Sequence, residues 1–390
     1  MAAKRKTSRY VVPVAVAGVA AATIGLVPAL AASGDPDLPE ITAQQLIEKI
    51  ASSDTQTLSG TFKVSTDLGL PALDGLLGGI AGGLGGAPEG SGEGSGSADP
   101  SAQLSKLVSG THTLRIAADG PERQKLTLLD GKEQYSLIHN GDEVWAYDSR
   151  SNEVFHEKGV EDGGPAPEEE LPASPKELAD EVLKAAGDTT SITVGGTAKV
   201  AGRDAYRLVI EPKQQGSTVD AITIAVDAAN GTPLKFTLDS TSGGKPVLDA
   251  GFTKVDFGKP AASEFDFTVP KGAKVTEGDE VEKAAPKDLE KEFGGLADLG
   301  GFGEGDVNVI GEGWTTIAAF DTGAAAPKTE EAPKEFQGFL DSLGDKVSGK
   351  FGSGTVFKTK IVNALMTDDG KVYVGAVTPQ ALVDAANAAK

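Results

Sequence analysis

Three histidines, His112, His139 and His156, are the residues of this 390-residue chain best suited to proton transfer or metal ligation. None sits in a pattern that such chemistry needs. A nucleophilic triad requires a serine held against a histidine and an orienting carboxylate, and no Gly-x-Ser-x-Gly elbow occurs. Surface or groove-lining roles are the expectation for all three. Gly301-Phe302-Gly303-Glu304-Gly305 has the glycine content of a nucleotide loop. It follows no strand pattern and its glutamate would repel phosphate, so it reads as linker, and no Gly-Lys-Ser/Thr loop exists elsewhere. Asp368-Asp369-Gly370 is too short for a calcium loop and reads as a turn. The absence of cysteine removes disulfides, thiolate chemistry, zinc-thiolate sites and a lipidated N-terminal cysteine. Carboxylate pairs are too common in so acidic a chain to mark a glycosidase. The expectation is therefore a protein with no catalytic residues, no cofactor and no metal.

Charge narrows the partners. There are 36 Lys+Arg and 57 Asp+Glu, so 36 − 57 gives a net charge of −21. Nucleic acid and anionic membrane surfaces both call for basic patches, so neither is expected as a partner, and no nucleotide site is expected either. The one basic cluster is N-terminal: Lys4, Arg5, Lys6 and Arg9, followed by an uncharged apolar run over 11–30. Ala29-Leu30-Ala31 is a small-x-small site, so residues 1–32 read as an export signal cleaved near Ala29 and Ala31. A run of that length is also long enough to remain as a membrane anchor. In both cases the positive-inside rule puts the rest of the chain in the extracytoplasmic envelope, secreted or N-terminally anchored.

The elements that must position any site follow from periodicity. Ile41, Leu46, Ile47 and Ile50 share one face of a short helix with Thr42 as its N-cap. Alternation then predicts strands over 58–65, 111–118, 123–129, 133–139, 143–147 and 153–156. Asp119-Gly120, Asp130-Gly131 and Asn140-Gly141 supply tight turns between them. Ser174-Pro175-Lys176-Glu177 opens a second helix carrying Leu178, Val182 and Leu183. Further strands are predicted around Tyr206–Ile210, Ile222–Val226 and, after an Asn230-Gly231 turn, Leu234–Leu238, and over 247–257 and 265–269. That makes roughly eleven strands and two helices before residue 276, and so many sequential hairpins must curl. Residues 71–100, rich in Gly, Leu, Ala and Ser, form an insertion that is either a flexible loop or a lid over an apolar groove. Residues 159–172 are an acidic loop and 278–306 a linker. The remainder, 307–390, reads as a small α+β module. Its expected elements are a strand over 314–320, a helix over 334–347, strands over 355–366 and 371–377, and a closing helix over 378–389.

From Val200 to Ala273 the residues carry a resemblance. Gly202-Arg203-Asp204-Ala205-Tyr206-Arg207-Leu208-Val209-Ile210 leads to Ile224-Ala225-Val226-Asp227, then Gly231-Thr232-Pro233-Leu234-Lys235, and ends at Phe265-Asp266-Phe267-Thr268-Val269-Pro270-Lys271-Gly272-Ala273. With Asp142-Glu143-Val144-Trp145-Ala146-Tyr147-Asp148 upstream, this resembles the lipoprotein-carrier superfamily of LolA-, LppX- and RseB-type proteins over about 37–277. The resemblance implies an α+β fold: a half-open antiparallel β-barrel of about eleven strands wrapped around a few helices, with the small C-terminal α+β module added. It implies no enzyme activity and a groove for the acyl chains of lipid or lipoprotein. Residues picked by alternation to line that groove are Phe62, Val64, Leu114, Ile116, Tyr135, Leu137, Trp145, Tyr147, Tyr206, Leu208, Ile222, Ile224 and Phe236. RseB-type proteins pair such a barrel with a second domain that contacts a membrane-anchored anti-sigma factor. The stretch from Asp369 to Pro379 is similar to the end of that domain, so the alternative is an envelope-stress sensor with a membrane-anchored protein as partner.

Overall fold

A computed structural model describes residues 35–69, 98, 110–159, 175–278, 308–321 and 344–389. The leader, the insertion apart from Ala98, most of the acidic loop, Gly301–Gly305 and residues 334–343 lie outside the described residues. Among those described, no helix is long and apolar enough to cross a membrane.

Helix α1, Ala43–Ala51, starts where its sequence says it should. The Thr42 hydroxyl accepts from the Gln45 backbone N–H and the Gln45 side chain accepts from the Thr42 N–H, a reciprocal cap that satisfies two otherwise orphaned donors. The helix buries Leu46 and Ile47. Helix α2, Pro175–Ala186, lies beside it and buries Ala179.

The strands of the first sheet are β1 (Thr57–Thr66), β2 (Gly110–Asp119), β3 (Arg123–Asp130), β4 (Glu133–Asn140), β5 (Glu143–Asp148), β6 (Glu153–Lys158), β7 (Thr190–Val200), β8 (Arg203–Pro212), β9 (Val219–Asp227), β10 (Pro233–Ser240), β11 (Leu248–Asp256) and β12 (Lys274–Glu277). They form one open sheet in the order β12-β6-β5-β4-β3-β2-β1-β11-β10-β9-β8-β7. Every neighbour pair is antiparallel except β6 with β12. The sheet is strongly curled. Cα atoms of β7 and β11 approach within 8 Å, whereas strands four places apart in a flat sheet would stand about 19 Å apart. Register breaks in β7 between Val194 and Thr197, and in the β1–β11 pair between Thr61 and Phe62, are bulges of the kind that bend a sheet.

The second sheet has six strands: β13 (Asn308–Ile310), β14 (Ile317–Asp321), β15 (Gly344–Gly349), β16 (Gly352–Phe357), β17 (Asn363–Thr367) and β18 (Lys371–Gly375), in the order β13-β14-β18-β17-β16-β15. Helix α3, Pro379–Ala388, is N-capped by Thr378 with Pro379 in its first turn. It buries Leu382, Ala385 and Ala386 against Val356, Leu365, Tyr373 and Val377. The two sheets are hydrogen-bonded to each other. Thr218 N–H donates to Ala376 O at 2.9 Å, Thr378 N–H to Gly216 O at 2.8 Å and Lys360 N–H to Leu68 O at 2.8 Å. Trp314 donates its ring N–H to Thr190 at 2.7 Å and its backbone N–H to Gln214 at 2.9 Å.

Four local expectations are corrected. Residues 265–269 are not a strand. After β11 the chain crosses the sheet as a strap, with successive contacts on β1 (Phe257 O from Thr57), β2 (Lys259 to Asp119), β3 (Glu264 with Lys125) and β5 (Phe267 on Trp145 and Tyr147). It then pairs with β6 as β12. The Phe265/Phe267 alternation reflects a chain lying on a surface. A chain running across strands has no ladder to join. Residues 344–347, expected as the end of a helix, belong to strand β15, because Asp345–Val347 pair with Thr355 and its neighbours. Residues 355–366 are two strands, β16 and β17, interrupted where Lys360 and Ile361 turn aside to bind the first sheet. Residues 313–315 are a 3-10 turn preceding β14.

Candidate functional site

Register decides which side chains share a face of the large sheet. Phe62 opposes Leu114, Leu114 opposes Leu128, and Leu128 opposes Tyr135. One row over, Ile116 opposes Leu126, Leu126 opposes Leu137, Leu137 opposes Ala146, and Ala146 opposes Phe155. On the other side of β1, Phe62 opposes Phe252, Val64 opposes Ala250, Ala250 opposes Phe236, Phe236 opposes Ile224, and Ile224 opposes Leu208. Ile222 lies opposite Leu238 and Ile210, and Tyr206 opposite Val226. Opposed residues point the same way, so one face is apolar from β6 to β7.

Among the described residues, two groups cover parts of that face. Leu46, Ile47 and Ala179 of α1 and α2 pack on Tyr206, Leu208 and Val226. Over the β1–β6 half, the buried Ala98 carbonyl accepts the Tyr135 hydroxyl at 3.1 Å. Phe62, Val64, Leu114, Ile116, Tyr135, Leu137, Tyr206 and Leu208 are buried, while Ile222, Ile224 and Phe236 keep partial exposure.

Trp145 and Tyr147 stand on the opposite face, against the expectation. Their partners across β5 are His156 and Val154 on one side and Ile138 and Ser136 on the other. Ring size suggested a groove position, but the small Ala146 between them is the residue that faces the apolar side, fully buried. Trp145 stacks on His156 at 3.6 Å and touches Phe267 of the strap at 5.2 Å. His156 is buried there and bonds Glu277 of β12 at 2.8 Å, and His139 is also buried, so neither is a surface residue. Alternation alone missed Leu126, Leu128, Phe155 and Phe252, which belong to the apolar face. Phe252 follows Gly251 beside the β1–β11 bulge, where the odd-even rule breaks.

The opposite face carries polar chemistry. A groove of about 380 Å³ lies across β1–β4 and is lined by Arg115, Lys125, Thr127, Ser136, Lys254 and Glu264, among others. Its mixed charges suit water or a polar chain better than an acyl tail. Elsewhere, electrostatics serve the frame. Burial would raise the Asp227 carboxyl, but the Arg203 guanidinium and the N–H groups of Asn230 and Ala229 outweigh it and hold that carboxyl below its usual range. Asp239 moves the other way, raised by burial and by the nearby Asp220 and Asp249. Among the described residues, no cluster of three or more metal-ligating side chains occurs.

No family model and no curated protein matches this sequence. Solved structures do. The MucA/MucB complex of Pseudomonas aeruginosa aligns at 16% identity and a TM-score of 0.37, covering 88% of this chain and 96% of that one. An uncharacterized conserved protein from Thermus thermophilus aligns at 13% and 0.31, covering 60% and 98%. A LolA superfamily protein from Nitrosomonas europaea aligns at 10% and 0.21, covering 58% and 99%.

Proposed function

We propose that this chain is an exported, non-enzymatic protein that holds the acyl chains of a lipid or lipoprotein on the apolar face of a half-open barrel. The observation that supports this reading most is the continuity of that face across eleven strands, with Ile222, Ile224 and Phe236 still partly exposed. An acyl chain needs no charged contact to bind there, since each buried methylene contributes about 0.8 kcal/mol. The basic-then-apolar leader supports export. Native mass spectrometry with lipid extraction tests the proposal. The expected result is a bound acyl lipid that is lost in Ile224→Asp. A protein that stays empty when offered lipids refutes it.

A second reading is a sensor that contacts a membrane-anchored protein through residues 307–390. What favours it is the separate six-stranded sheet, hydrogen-bonded to the first. Crosslinking in cells, with and without residues 307–390, separates carrier from sensor.

A further inference from the structure

One row of the apolar face departs from its neighbours. It runs Leu58, Ala118, Gln124, His139, Val144 and Glu157 across β1 to β6. Leu58 and Val144 belong to the buried core and Ala118 packs against it, yet between them stand two polar side chains directly opposite each other. Gln124 is 8% exposed and His139 is 4% exposed. Both ring nitrogens of His139 and the Gln124 side-chain oxygen have no hydrogen-bond partner among the described residues. Leaving such groups buried and unpaired is destabilising, and an apolar residue at either position would avoid it.

We propose that Gln124 and His139 form a polar subsite within the apolar face, which takes a neutral group able both to donate and to accept hydrogen bonds, carried by an acyl ligand. A hydroxyl or an amide has that chemistry. Neutral imidazole offers one donor and one acceptor, and the Gln124 oxygen needs a donor. A ligand with acceptors only, such as a simple ester, leaves two of the three groups unsatisfied. An anion is disfavoured because the row holds no Lys or Arg and ends in Glu157. Opposed side chains in a sheet have Cβ atoms about 5 Å apart, close enough for one small group to bridge both. The inference rests on the acyl-binding proposal and specifies which ligands that face prefers.

The test compares two probes on the purified full chain: 1-monopalmitoylglycerol, with free hydroxyls, and methyl palmitate, with none. Gln124→Leu, His139→Phe and the double variant are measured against wild type. The expected result is that each variant weakens monopalmitoylglycerol about tenfold or more, as loss of one to two hydrogen bonds requires, and leaves methyl palmitate nearly unchanged. The variants are also expected to raise Tm of the empty protein, because a buried unpaired group is removed. Equal effects on both probes, or none, overturn the subsite while leaving acyl binding intact. A fall in Tm overturns it too, by showing the groups already satisfied by buried water. If neither probe binds wild type, the subsite and the acyl-binding proposal fall together.

Discussion

At the scale of single residues, Asp227 shows how polar groups brace the frame behind an apolar face. Its carboxylate takes Arg203 and the N–H groups of Ala229 and Asn230, closing the turn between β9 and β10. Asp227→Asn loses the charge-assisted part of this and should lower stability by about 1–3 kcal/mol in urea unfolding. Its pH dependence has a definite sign. The folded carboxyl lies below its ordinary 3.8, so its contribution is complete above that value and is lost as pH falls through the folded one. Asp239 is opposite: its folded carboxyl lies above 3.8, so stability is lost as pH rises through the folded value. Asp239→Asn should therefore raise Tm at pH 7, with the gain vanishing in acid. A neutral or negative effect at pH 7 would contradict that assignment. The Asn230-Gly231 turn was legible in the sequence because positive φ needs such residues, and Gly231 sits at φ +78°. What it faces was not: a Cβ there would stand 2.2 Å from the Lys49 carbonyl of α1. That contact joins residues 182 positions apart in the chain (231 − 49), which no local pattern encodes.

At the scale of elements, the hairpin strands were legible because each turn and each alternation is local. The strap over 257–273 was not, because its periodicity comes from the surface it lies on. Phe265 is among the most completely buried large side chains, although no strand holds it. Phe265→Ala should cost about 3–5 kcal/mol, as for other fully buried phenylalanines. Phe267 is half-buried and touches Trp145 and Tyr147. The chain has two tryptophans, so in a Trp314→Phe background the emission comes from Trp145 alone, which the strap touches through Phe267. Phe267→Ala should shift that emission to the red with a smaller loss of stability than Phe265→Ala. Unchanged emission would mean that the strap does not shield Trp145. The face was legible for the positions chosen on β1, β2, β4, β8, β9 and β10. It failed on β5, where the larger rings point outward and Ala146 points in. Hydrophobicity ranks residues by size, but the register of the neighbouring strands decides the face.

At the scale of the whole molecule, the question is whether the two sheets behave as one body. Their junction is polar: Trp314 on Thr190 and Gln214, backbone bonds at 216–218 with 376–378, and Lys360 on 67–68. The Lys360 ammonium lies 2.7 Å from Asp67, and that hydrogen bond holds the Asp67 carboxyl below its usual range. A junction that rests on hydrogen bonds and an ion pair is of the kind that domains open and close. Lys360→Ala removes the ammonium while leaving the backbone bond to Leu68. In calorimetry the variant should split into two transitions at neutral pH, the earlier one accompanied by a change in Trp314 emission. Wild type should show the same separation only in acid, because the Asp67 contribution persists above pH 3.8 and disappears as pH falls below it. Splitting that is absent from the variant and from acidified wild type would place the cohesion in the backbone bonds and Trp314. In that case Trp314→Ala becomes the variant that must separate the sheets, and a sensor role for residues 307–390 would require a partner able to break those bonds.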